Sequence, residues 1–156
     1  MIEYRHSILP DIYKLAKDLR QADIDEVQAA VGESGQKALL HGYLLSKECF
    51  TIYEQDSPLA MFGYRIVDPG ISAQVWLLAG NNLEKHKVRF LKRSAELVSF
   101  LNQKAPLLFN VVDLRNELHI RWLDWLGFKF VRVIPDFGAE RRPFVEFVRL
   151  HGNPTE

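Results

Sequence analysis

The apolar positions of this chain change period several times, and each change marks an element. Residues 2–6, Ile-Glu-Tyr-Arg-His, alternate and predict a short strand. From Pro10 and Asp11 the period becomes helical. Ile12, Leu15, Ala16 and Leu19 share one face, and Lys14, Lys17, Asp18 and Arg20 the other. Proline in a first turn removes only an amide that would be unpaired anyway. Residues 23–31 predict a second helix that stops at Gly32, and Ser34 caps a third that runs to about residue 46. Alternation then returns. Residues 49–54, 59–67 and 71–78 predict a three-stranded meander. Its turns are Gln55-Asp56-Ser57-Pro58 and Asp68-Pro69-Gly70. A long helix follows over residues 83–103, with Leu83, Phe90, Leu91, Ala95, Val98 and Leu101 as its apolar stripe, and Pro106 ends it. Residues 107–112 are almost entirely apolar, as in a strand covered on both faces.

The stretch from Asn116 to Phe128 anchors the remainder. Asn116 is positioned to cap a short helix whose apolar face carries Ile120, Leu123 and Leu126. Gly127 is its expected left-handed stop. Residues 128–134 alternate as a strand, residues 135–142 read as a loop, and residues 143–150 read as a last strand. Residues 1–150 thus read as a single domain, and residues 151–156 as a frayed tail.

The order is strand, helices, antiparallel meander, helix, strand, helix, hairpin. With the pattern Asn116-x-x-x-Ile120 through Leu126-Gly127-Phe128, it resembles the GNAT superfamily, the acyl-CoA N-acyltransferases. A narrower resemblance is carried by Val112-Asp113-x-Arg115-Asn116, by Ile120-Arg121-Trp122-Leu123-x-Trp125-Leu126-Gly127-Phe128, and by Phe137-Gly138 with Arg142-Pro143-Phe144-x-x-Phe147. These residues are similar to the GNAT-like internal virion proteins of short-tailed phages. The resemblance implies an α/β fold with a central, mostly antiparallel mixed sheet, helices on both faces and a cleft where strand 4 splays from strand 5. A third helical segment before the meander is shared with the phage family.

Composition narrows the partners. The chain has 156 residues, enough for a core without disulfides or metal. Its 20 basic and 20 acidic residues balance, which argues against a dedicated nucleic-acid binder. Cys49 is the only cysteine and lies in an apolar strand, so a buried thiol is expected and no internal disulfide can form. No apolar run is long enough to span a bilayer, and no signal peptide is evident. The expected location is the host cytoplasm, or the interior of a particle.

The candidate chemistry follows from the resemblance. In active GNAT enzymes acyl-CoA lies between the splayed strands, and its pyrophosphate rests on a Gly-x-Gly loop that opens the following helix. Helix-start amides bind anions, and glycine lets the phosphate approach. Here that segment is Gly80-Asn81-Asn82-Leu83-Glu84-Lys85-His86-Lys87, with one glycine and an acid in the first turn. Leu78, Gly80, Asn82, Lys85, Lys87 and Asn116 are the candidate contacts for acetyl-CoA. The family's tyrosine that protonates the departing thiolate aligns with Leu123, which has no proton to give. His119 is the candidate replacement acid, or else a plain helix residue. Glu54, Asp56 and Tyr64 are available as bases, although no motif singles one out. The basic run Lys85, Lys87, Arg89, Lys92 and Arg93 reads as a solvated helix face. Trp122 and Trp125, three apart on one helix, read as a partner surface or as core. No histidine–cysteine cluster has metal-ligand spacing.

Two functions are compatible with this pattern. One is a catalytically degenerate GNAT-fold phage protein acting in virion assembly or inside the particle, with other virion or host proteins as partners. The other is an acetyl-CoA-dependent N-acetyltransferase acting on an amine of a protein or small molecule. An open cleft between strands 4 and 5 would favour the enzyme, and a cleft filled by Trp76 or Leu78 would favour the degenerate protein.

Overall fold

The computed structural model describes residues 2–151. The strands are β1 (Ile2–His6), β2 (Glu48–Glu54), β3 (Ser57–Asp68), β4 (Ser72–Ala79), β5 (Leu107–Asp113), β6 (Lys129–Phe137) and β7 (Arg142–Leu150). The helices are α1 (Leu9–Ala16), α2 (Gln21–Val31), α3 (Gly35–Leu45), α4 (Lys87–Lys104) and α5 (Glu117–Trp125). The strands form one sheet in the order β1-β2-β3-β4-β5-β7-β6. All neighbours are antiparallel except β4 and β5. These two pair in parallel only at Ser72–Leu107, Ala73–Leu108 and Gln74–Phe109, and then separate. The expected splay is therefore present.

Helices α1, α2 and α3 cover one face, where Ile12, Leu15, Val27 and Leu39 meet Cys49, Met61 and Leu78. On the other face α5 sends Trp122 and Leu123 against the sheet, and α4 sends Phe90, Val98 and Leu101. The anticipated partner surface on α5 is thus divided. Trp122 is core, while Trp125 is 57% exposed. Cys49 is buried as expected, and burial raises its thiol pKa.

Three local expectations need correction. Residues 83–86 form a 3-10 turn, so α4 begins only at Lys87. β6 continues through Pro135 to Phe137, which leaves a tighter turn than a loop over 135–142. Asn116 precedes α5 but makes no side-chain cap bond, because its Oδ1, the atom a cap would use, accepts from the Arg20 guanidinium instead. Gly127 does end α5 in the left-handed region, at φ 89. Of the proposed tail, residues 152–156 lie outside the described residues.

Asp11 ties α1 to the meander. Its carboxylate is 2% exposed and accepts from the Ile8 N–H (3.0 Å), Thr51 Oγ1 (2.9 Å) and the Tyr53 hydroxyl. Burial, and then the carboxylate itself, push the Tyr53 pKa up to about 12. Removing this acceptor strands the Ile8 N–H and the Tyr53 hydroxyl and leaves Thr51 only its Ser7 partner. Asp11→Ala is expected to cost about 3 kcal/mol, read as a lower urea midpoint with unchanged slope.

Candidate functional site

The ladder between β3 and β4 fixes which backbone groups face the splay. The Gly80 N–H donates to the Leu59 carbonyl at 2.8 Å. By the alternation of an antiparallel pair, Leu78 and Trp76 also turn their N–H and C=O to β3. Val75, Leu77 and Ala79 therefore turn theirs to the gap. A ligand lying along β4 in that gap would have to bond to these groups.

The Val75 carbonyl and both Ala79 groups are already engaged by this chain. Just past the last β4–β5 pair, Asn110 Nδ2 donates to the Val75 carbonyl at 2.7 Å. Asn110 Oδ1 accepts from the Val111 N–H at 2.8 Å. At the far end, the Arg20 N–H donates to the Ala79 carbonyl at 2.9 Å. Asp23 Oδ2 accepts from the Ala79 N–H at 2.8 Å. Leu19 bridges Gly80 as a short antiparallel contact. The junction of α1 and α2 thus occupies the end of the open edge of β4.

From there α2 crosses to β5. Asn116 Nδ2 donates to Asp23 Oδ1 (2.8 Å) and to Glu26 Oε1 (3.2 Å). Glu26 Oε1 also accepts from the Asp113 N–H at 3.0 Å. The Arg20 guanidinium donates to Asp23 Oδ1 (3.1 Å) and to Asn116 Oδ1 (3.3 Å), and lies 5.6 Å above the Trp122 ring. The last turn of α2 is held as well. Its Ala30 and Ala29 carbonyls accept from the N–H groups of Ala139 and Glu140 in the β6–β7 turn. Gly138 makes that approach possible, since a Cβ there would lie 2.5 Å from the Ala29 carbonyl oxygen. Helix α2 is therefore a strap across the gap, bonded to β4, β5, α5 and the last hairpin.

Burial shapes the charges in the strap. Glu26 is only partly buried as a residue, but its carboxyl is the end turned inward. Desolvation raises its pKa to about 8, and nearby Asp23 and Asp113 add to the shift. His119 is 8% exposed. Burial lowers its pKa, and Arg20 lowers it further while Asp23 opposes the shift. The imidazole is therefore neutral near pH 7, and it stands edge-on to Trp122.

The predicted site residues lie in different parts of the structure. Leu78 is core beneath α1 and α3. Gly80 is buried between β3 and Leu19. The Asn81 amide is bonded to the Asp18 carbonyl at 3.0 Å. Asn82, Lys85 and Lys87 are exposed on the 3-10 turn and the start of α4. Asn116 is 1% exposed inside the strap. Glu54 faces His86 at 2.9 Å, and Asp56 sits in an exposed turn. Tyr64 donates to Glu48, and burial followed by that bond raises its pKa strongly. Trp76 and Leu78 do not fill the splay. Trp76 lies against Gly42 and Gly63 and donates its indole N–H to Ser46 at 2.7 Å. Arg20, Asp23 and Glu26 were missed because a charged stripe at three-residue spacing reads as a solvated helix face.

A cavity of about 420 Å³ remains at the β4–β5 gap, bordered on one face of the sheet by Val27, Gly42 and Trp76 and on the other by α4 and α5. Its walls include Phe50, Phe62, Val75, Leu77, Val98 and Leu101, and His119 also borders it. Among the described residues there is no group of side chains that could hold a metal ion, and no helix is long and apolar enough to cross a membrane.

The end of the β4 edge and the loop amides at Gly80 and Asn81 are engaged, and Leu123 is a buried apolar residue. No family model matches the chain, and no curated protein sequence matches it. Solved structures do resemble it. Ard1 from Thermoplasma volcanium superposes with a TM-score of 0.71 at 16% identity, covering 96% of this chain and 97% of that one. A GNAT-family acetyltransferase from Bacillus anthracis gives 0.69 at 10% identity, covering 97% and 96%. The aminoglycoside acetyltransferase AAC(6')-Ib in complex with coenzyme A gives 0.67 at 16% identity, covering 97% and 95%. At these identities the likeness establishes the fold.

Proposed function

We propose that this chain, built on the GNAT acyltransferase fold, is a catalytically degenerate member of that architecture. In this reading it acts in virion assembly or as an internal virion protein of a short-tailed phage, through contacts with other virion or host proteins. One observation carries the first part. Both backbone groups of Ala79 at the open end of β4 are bonded by the chain's own Arg20 and Asp23. A fold does not settle function, and an acyltransferase frame without a cofactor seat is free for other use.

The phage assignment rests on the narrower sequence resemblance. Several residues that carry it also hold the strap. Asp113 and Asn116 meet Glu26, and Gly138 lies against the Ala29 carbonyl. Arg115 clamps the Asp113 carboxylate at 2.7 and 3.1 Å. A cytoplasmic protein packaged into the particle would be found in purified virions by mass spectrometry.

Titration calorimetry with acetyl-CoA tests the reading. No saturable heat is expected up to millimolar ligand. Micromolar binding would overturn it in favour of an acetyl-CoA-dependent N-acetyltransferase acting on a protein or small-molecule amine. That second reading is favoured by the Leu77 N–H and C=O, which face the gap with no protein partner among the described residues.

A further inference from the structure

We propose that β1 is a self-association edge, where a second copy of this chain adds its own β1 in an antiparallel pair centred on Tyr4. The edges of the sheet are β1 and β6. β6 is blunted in the ways edge strands usually are. It carries Pro135, and its pairing with β7 slips between Phe130 and Arg132 and again between Ile134 and Phe137. β1 has neither feature. It pairs with β2 in an unbroken register from Ile2–Glu54 to His6–Phe50, and among the described residues no strand pairs its outer side.

The phase of the ladder fixes what that outer side offers. The Ser7 N–H donates to the Cys49 carbonyl at 2.9 Å. Alternation then turns the backbone groups of Glu3 and Arg5 to β2, and those of Ile2, Tyr4 and His6 outward. The charged side chains select the partner. Glu3 and Arg5 are both exposed, on the face where the Arg5 guanidinium lies 3.8 Å from the Tyr53 ring centre. A two-fold axis at Tyr4 sets Glu3 opposite the partner's Arg5, and Arg5 opposite the partner's Glu3. These are non-hydrogen-bonded pairs, in which side chains come closest. The outward groups of Tyr4 then meet the partner's Tyr4, and those of Ile2 meet the partner's His6. Moving the axis by one residue sets Glu3 against the partner's Glu3, or Arg5 against the partner's Arg5. A single register thus satisfies backbone and charge together, with the self-complementarity that a two-fold contact requires.

Sedimentation equilibrium of the full chain is the test. The paired stretch is short, so a weak dimer is expected, with a Kd of roughly 10–100 μM. Glu3→Arg and Arg5→Glu should each raise Kd about tenfold or more, because each turns both attractive pairs into like-charge pairs. Mixing the two variants should restore the wild-type affinity, since a wholly basic strand then faces a wholly acidic one. In the wild-type chain, the outward Tyr4 and His6 amides should exchange about fivefold more slowly at about 1 mM than at about 10 μM. A chain that stays monomeric to about 1 mM would overturn the proposal and leave the edge to a strand of another protein. So would a dimer that both charge reversals leave intact, or one that mixing does not restore. Should a variant fail to fold, unchanged Tyr4 and His6 exchange across that concentration range overturns the proposal by itself. The pairing does not depend on the reading of the CoA site, because β1 lies at the edge of the sheet and the gap at its centre. Binding of acetyl-CoA would remove the degenerate reading and keep this one.

Discussion

Glu26→Gln is expected to stabilise the folded chain by roughly 3–5 kcal/mol at pH 9 and by almost nothing near pH 5. The carboxyl sits inward, accepting from the Asp113 N–H and from Asn116, with Asp23 and Asp113 close by. Desolvation is the main reason its pKa is about 8 rather than the ordinary 4.5, and the acidic neighbours add to it. The sign follows from proton counting. Between those two values the native state holds a proton that the unfolded chain has released. Stability therefore falls as pH rises through that window and levels off above about 8. The amide of glutamine keeps the acceptor that the two N–H donors need and cannot ionise. Urea unfolding at pH 5, 7 and 9 measures the effect. The wild-type and variant curves should diverge with pH. Parallel curves would mean that the carboxyl is hydrated and that the strap is wetter than its hydrogen bonds indicate.

The frame and the strap differ in how they are written in the sequence. The meander, the long helix and the α5–β6 junction announce themselves because their apolar period changes sharply, and because Gly127 between a helical and an alternating stretch marks a left-handed helix stop. The gap between β4 and β5 was legible only through resemblance, since parallel pairing leaves no turn to read. What fills the gap was not legible. Trp76 and Leu78 looked like the bulky candidates, yet both alternate onto the α1–α3 face. The groups that close the gap are Arg20 at the N-cap of α2 and Asp23 and Glu26 in its first two turns, on a weakly amphipathic helix. A charge stripe is solvated unless something polar waits opposite it. Here the opposite groups are the backbone of Ala79 and Asp113 and the amide of Asn116, brought together by a fold that spans more than 90 residues. The asparagine that looked like a helix cap is drawn into the same network, its Oδ1 accepting from the Arg20 guanidinium and its Nδ2 donating to Asp23.

Asp23→Ala is expected to cost about 4 kcal/mol, with Asp23→Asn losing about half as much. The Asp23 side chain is 3% exposed and serves three donors on three elements, the Ala79 N–H of β4, Asn116 before α5 and the Arg20 guanidinium. Alanine leaves the Ala79 N–H without an acceptor, takes one of two acceptors from Asn116 and from Arg20, and leaves Arg20 as a largely buried cation without its carboxylate. Asparagine keeps one oxygen and loses the charge. The location of the loss matters as much as its size. Hydrogen exchange of the Ala79 amide should accelerate at least tenfold in Asp23→Ala, beyond the change in global stability. Amides of β4 that bond to β3, such as Leu78, should follow global stability alone. That contrast separates a strap from a generally weakened core. If Ala79 and Leu78 accelerate together, Asp23 supports the whole domain and the edge of β4 is not specifically covered. If Ala79 alone is released, the chain's own carboxylate is what occupies the backbone group that an acyl-CoA would need, and the degenerate reading gains its physical cause.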